Sequence, residues 1–179
     1  MSNKRRVMLT IHHRDELSLG SNRTRLGYAA YHWGILIQPK KSKGADSNAY
    51  DVSNGARPDP VTRQELNPNF EWRFRANQGV DPHRSGHLLG RVMIGKVSNN
   101  VTDAQIEAIL RAVPLPVKNT TPEQNCVTWI LAAIPALQQH GLAEVFDVNQ
   151  LLASALQRGH SWMEDPGPNK FYNYTNRPD

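Results

Sequence analysis

The sequence predicts an α+β fold in one domain, a mostly antiparallel sheet followed by helices. Three observations predict it. Runs rich in β-branched and aromatic residues fill most of the chain before Thr102. Helical apolar spacing replaces them from Thr102 onward, and Gly, Pro and Asn signals punctuate the boundaries. A length of 179 residues suits a single domain with its own core.

Residues 5–13 read as a first strand, and a polar loop follows over about 15–25. Residues 27–38 read as a long second strand, which Pro39 and the Lys/Ser/Gly stretch behind it bring to an end. Residues 48–53 make a short third strand, closed by Asn54-Gly55. Phe70, Trp72 and Phe74 alternate with Glu71, Arg73 and Arg75, the period of two of a half-buried strand. Residues 87–97 form the last run of this kind. Thr102 and Gln105 then read as a capping box, with Val101 and Ile106 placed as a hydrophobic staple. Ile106, Ile109, Leu110 and Val113 recur at helical spacing until Pro114 and Pro116 stop the helix. A second helix is expected over about 122–140, with Gly141 as its stop and Pro135 kinking or dividing it. Its N-cap is either Thr121 or Asn125. A third helix starts near Asp147, where Val148, Leu151, Leu152, Ala155 and Leu156 share one apolar face. Residues 160–179 lack periodicity and read as an irregular tail.

Composition excludes several classes. No apolar run approaches the roughly 20 residues that span a bilayer, and none has the form of a secretory signal core. One cysteine, Cys126, allows no internal disulfide, which agrees with a reducing, cytoplasmic setting. The formal charge of +5 comes partly from Lys4-Arg5-Arg6 and Lys40-Lys41-Ser42-Lys43, read as a solvated terminus and a loop tip. The other basic residues are scattered among acids, so nucleic acid is not an expected partner. His12-His13 and His83-x-x-x-His87 have the residue type to bind metal, but His83 follows Pro82 in a Gly/Pro/Ser loop and no carboxylate or cysteine partner adjoins them, so no metal or other cofactor is expected.

Chemistry concentrates on Cys126 and His32. Thiol catalysis needs a nucleophilic sulfur and an imidazole that takes its proton. Cys126 falls near the start of the second helix, where the dipole and N–H groups of the first turn stabilise a thiolate and can hold an oxyanion. Against this, Cys126 shares a helical face with Trp129, Ile130 and Ala133, as a small core residue would. His32 lies on the second strand, whose residues of opposite parity, Tyr31, Trp33, Ile35 and Ile37, are bulky. Its own face carries Ala30, Gly34 and Leu36, of which the small residues leave room for another group to approach.

His32-Trp33-Gly34-Ile35 on a strand, followed far later by Asn125-Cys126 heading a helix, resembles the circularly permuted branch of the papain-like superfamily. That branch includes lecithin:retinol acyltransferase-like and NlpC-type thiol enzymes, in which the histidine strand precedes the cysteine helix. The whole chain also looks like fungal proteins with a His-Trp strand and an Asn-Cys-x-x-Trp helix. The resemblance implies a permuted papain-like core, Cys126 as nucleophile and His32 as general base. It also implies a polar residue on the next strand that orients the imidazole, a place occupied here by Asp51. Asp51 reads equally as a cap of the Asn54-Gly55 turn. Asn125, Trp33 and Trp129 are candidate substrate-binding residues. The expected activity is acyl or amide chemistry through a thioester, by hydrolysis, acyl transfer or rearrangement, on a small-molecule or peptide substrate. The alternative is a non-catalytic interaction module on the same fold with Cys126 buried.

Overall fold

A computed structural model of the chain describes residues 4–167 and 170–178. Its frame is one six-stranded sheet in the order β4-β3-β2-β1-β5-β6, with β1 Arg5–His13, β2 Tyr31–Gln38, β3 Ser47–Ser53, β4 Arg73–Val80, β5 Leu88–Val97 and β6 Phe171–Asn173. Every pairing is antiparallel except β5 with β6. The helices are α1 Gly20–Leu26, α2 Asp103–Arg111, α3 Cys126–Gln139 and α4 Val148–Glu164. The architecture is therefore α+β.

The alternation read from β2 is realised. Tyr31, Trp33, Ile35 and Ile37 join Val7, Leu9 and Ile11 of β1 in a main core closed by α2, α3 and α4. The opposite face holds a smaller cluster of Met8, Leu36 and Met93, then polar residues toward the His32 end. Gly95 makes the helical layer possible. A side chain there would collide with the backbone carbonyl of Leu142, so only glycine lets that turn lie on β5.

Several expectations are corrected. Residues 27–30 are a 3-10 turn rather than strand, because Gly27 takes φ 55 and breaks the extended path. The loop expected over 15–25 contains a 3-10 turn and the short helix α1. Phe70 does not share the alternation of Trp72 and Phe74: it has φ 51, is exposed and precedes β4. Pro135 does not divide α3, which runs unbroken across it. The expected irregular tail is partly ordered. Helix α4 continues to Glu164 because Gly159 packs against Ile11 and Tyr31, and Trp162 covers Gly90. β6 then adds to the sheet edge, while residues 168, 169 and 179 of that tail lie outside the described residues. The basic cluster at residues 4–6 is no solvated terminus either. Arg6 is buried, and Arg5 binds Asp103 and the Val101 carbonyl.

Candidate functional site

Asn125, not Thr121, caps α3. Its backbone is extended, its side chain accepts the Val127 N–H at 2.9 Å, and Thr128 Oγ1 accepts the Asn125 N–H at 3.1 Å. This reciprocal box fixes where the helix begins. Cys126 is consequently its first residue, with Sγ at the positive end of a 14-residue helix. The thiol contacts the Tyr31 carbonyl at 3.9 Å, which ties the helix start to the head of β2. Cys126 is only 5% exposed, yet it lines a cleft of about 470 Å³ together with His32, Arg75, Asn125 and Trp72.

His32 is the residue after Tyr31, so the strand that touches the thiol also delivers the imidazole. Nε2 of His32 lies 2.8 Å from Asp51 Oδ2. A carboxylate only accepts, so Nε2 carries the proton and Nδ1 is left for a second partner. Cys126 is close enough to that ring to favour its charged form. Burial opposes the charge on His32, but the hydrogen bonds that the imidazolium donates to Asp51 and Cys126 outweigh it and lift the group to about 9. Asp51 mirrors this. Burial would raise its carboxyl, whereas hydrogen bonds from His32 and Arg75 hold it down at about 2.

Arg75 completes the arrangement. Its Nε donates to Asp51 Oδ1 at 2.7 Å and its Nη2 to Oδ2 at 2.6 Å, a bidentate fork across the β3–β4 pair in which Asp51 and Arg75 face each other. Guanidinium, carboxylate and imidazole are therefore joined by a chain of hydrogen bonds, and the thiol lies within reach of the imidazole. Gly34 makes room for these groups. A Cβ there would lie 3.3 Å from Asp51 Cβ, 3.1 Å from Thr10 Oγ1 and 3.2 Å from the Tyr50 carbonyl. The alternative reading of Asp51 as a turn cap does not hold, because Ser53 Oγ accepts the Gly55 N–H at 3.0 Å.

On the far side of His32 lies His12, its direct partner across β1 and β2, with ring centroids 6.0 Å apart. Burial, and then the charge on His32, keep His12 neutral, with its pKa down at about 3. Both histidines line a second cavity of about 380 Å³, which also reaches Asp51 and Arg75.

The structure brings Cys126, His32 and Asp51 together, and it leaves two other candidates out. Trp33 is fully buried with Nε1 donating to the Tyr28 carbonyl, and Trp129 is 1% exposed in the core. Both are packing residues, because the parity and helical phase that bury their neighbours bury them too. Asn125 does line the cleft, although its side chain is engaged in the cap. Sequence reasoning missed Arg75 and Trp72. Arg75 was legible only as the polar phase of an alternating strand, and nothing local placed it opposite Asp51.

Over residues 4–156 the chain matches a family of unknown function, DUF6914, and it belongs to that family. Comparison with curated proteins and with solved structures finds no match. No helix among the described residues is long and apolar enough to cross a membrane.

Proposed function

We propose that this chain is a thiol enzyme that acts on acyl or amide bonds through a thioester on Cys126, on a permuted papain-like core. One observation carries the reading. A thiol at the first position of a helix lies within reach of an imidazole whose Nε2 is held by a carboxylate, and thiol and imidazole border one cleft.

The residues divide the work. His32 Nδ1 takes the Sγ proton, giving a thiolate–imidazolium pair that Asp51 stabilises through Nε2. The thiolate attacks the substrate carbonyl carbon, and its oxygen becomes an oxyanion beside the first N–H groups of α3. Collapse expels the amine or alcohol, which leaves with the proton from His32. His32 then deprotonates water or another acceptor, which attacks the thioester and frees Cys126. Trp72 offers the cleft an aromatic wall. The substrate class that fits is a small acyl or peptide-like molecule, and a reducing, cytoplasmic setting would keep the thiol available.

A second reading, a non-catalytic module, draws on the low exposure of Cys126. Reaction with a small activated ester, p-nitrophenyl acetate, separates the two. The enzyme reading expects a burst of about one equivalent of nitrophenol and an acetyl group on Cys126 by mass spectrometry. Cys126→Ala should abolish both, His32→Ala should slow the burst by about a hundredfold or more, and Asp51→Asn should fall between. A thiol that reacts with ester or iodoacetamide only after denaturation would reject the enzyme and favour the module.

A further inference from the structure

Pairing of β1 with β5 brings His87 beside His13 and Asp15, from which the sequence keeps it far apart. They form the one cluster of metal-ligating type among the described residues, and the thiol chemistry uses none of them. Their backbones are locked together first. The His13 N–H donates to the His87 carbonyl at 2.8 Å, and the two rings lie against each other, tilted by 34°, with centroids 4.5 Å apart. Asp15 follows with its N–H 3.3 Å from His13 Nδ1, which holds its carboxylate beside the ring.

Protonation then selects the nitrogens. His13 Nε2 lies 3.0 Å from the Gly86 carbonyl, which can only accept, so Nε2 carries the proton. The lone pair of the neutral ring is thereby on Nδ1, and Nδ1 faces Asp15 Oδ1 at 3.4 Å. That lone pair accepts the Asp15 N–H at 3.3 Å, and a cation standing between Nδ1 and Oδ1 would take the place of this long contact. A backbone carbonyl on the outer nitrogen is also the support that metal-bound histidines use to fix their ring. His87 Nδ1 lies 3.8 Å from the same carboxylate oxygen and donates across a long 3.3 Å contact to the His13 carbonyl, a contact and a proton that ion binding would release.

The spacing suits a small ion. Imidazole and carboxylate ligands about 2.0–2.1 Å from a tetrahedral zinc lie about 3.3 Å from one another. Two of the three edges here are 3.4 and 3.8 Å, and all three ligand atoms fall within 4.8 Å. The remaining contraction falls to the exposed side chains of Asp15 and His87, which swing without disturbing the core.

The geometry points to a site for a borderline transition-metal dication, with zinc as the type, held by His13 Nδ1, Asp15 Oδ1 and His87. Two imidazoles select against magnesium and calcium. Three protein ligands leave a coordination position for water or a ligand atom, and His13 and His87 also line the cavity of about 380 Å³ that reaches His32. The site is independent of the thioester reading, since Cys126 is not among its ligands.

The test is competition for Zn2+ between the full chain and a chromophoric chelator, supported by the visible absorption of the Co2+-loaded protein. Wild type should bind one equivalent and give the intense band of four- or five-coordinate cobalt. Asp15→Ala and His87→Ala should each weaken binding by about tenfold or more. His140→Ala, remote at the C-terminal cap of α3, should bind as wild type does, and so should Cys126→Ala. Both ligand variants change exposed side chains, and melts in chelator should match wild type. Failure of wild type to bind one equivalent would overturn the site. So would unchanged affinity in Asp15→Ala and His87→Ala, or loss of the ion in Cys126→Ala.

Discussion

One oxygen of Asp51 serves two cations: Oδ2 lies 2.8 Å from His32 Nε2 and 2.6 Å from Arg75 Nη2. This sharing makes stability depend on pH in a defined direction. His32 is lifted from 6.5 to about 9 in the fold, so its contribution is complete below 6.5 and lost as pH rises through 9. Asp51 is lowered from 3.8 to about 2, so its contribution is complete above 3.8 and lost as pH falls through 2. Between pH 6.5 and 9.5 the wild-type melting temperature should therefore fall by several degrees, at roughly 2–4 °C per kcal/mol for a chain of this size. His32→Gln should flatten that decline. Parallel wild-type and His32→Gln curves over the window would refute the coupling.

Much of this site was legible before the structure, and the reason is local. Cys126 and His32 are marked by neighbours: the Asn-Cys step opens a helix, and small residues share the imidazole's face of β2. Asp51 was half-legible, because a carboxylate near a turn satisfies two descriptions, and only the Ser53–Gly55 hydrogen bond decides between them. Arg75 was not legible, since its meaning depends on the register that sets it opposite Asp51 across β3 and β4. The same holds for His13 and His87, which only strand pairing unites. At the fold level, period two and caps carried the strands and α2. The extension of α4 escaped because Gly159 and Trp162 act through contacts with β1, β2 and β5 rather than through their own periodicity.

Arg75 should prove to be a positioning residue rather than a generic cation. Its fork fixes both Asp51 oxygens, which a lysine cannot do with a point charge. Arg75→Lys should slow iodoacetamide alkylation of Cys126 by about threefold or more, and Arg75→Ala by about tenfold or more. In Arg75→Ala the His32 titration followed by NMR should move, because a carboxylate freed from the fork can swing off the imidazole. An alkylation rate and a His32 titration that both match wild type in Arg75→Ala would remove Arg75 from the site.

Asn125 offers a test in which stability and reactivity part company. Asn125→Ala deletes the cap acceptor and should cost about 1 kcal/mol, lowering the melting temperature by a few degrees. Asn125→Asp keeps the acceptor and places a negative charge at the helix start, so the melting temperature should hold or rise. The same charge sits next to Cys126 and opposes its thiolate. Alkylation should therefore slow in Asn125→Asp even as the fold is kept. A faster thiol in that variant would show that the helix terminus does not govern the reactivity of Cys126.

Gly34 tests whether the hydrogen-bonded groups need their present spacing. An added methyl group meets Thr10 Oγ1 at 3.1 Å, the Tyr50 carbonyl at 3.2 Å and Asp51 Cβ at 3.3 Å. Each contact is a few tenths of an ångström too close, and of the three atoms the Asp51 side chain is the one that relieves the crowding most directly by turning. The Tyr50 carbonyl belongs to a backbone fixed in the sheet, and Thr10 is buried on β1. Gly34→Ala should therefore leave the protein folded, with a loss of about 1–3 kcal/mol from overpacking, while it displaces Asp51 from His32. Circular dichroism should report an intact sheet, the NMR titration of His32 should shift down from about 9, and Cys126 alkylation should slow. Adding Asp51→Ala to Gly34→Ala should then cost little further reactivity, because both changes break the same contact. Fully additive losses in the double variant would show instead that Gly34 acts through the β2 backbone and not through the carboxylate.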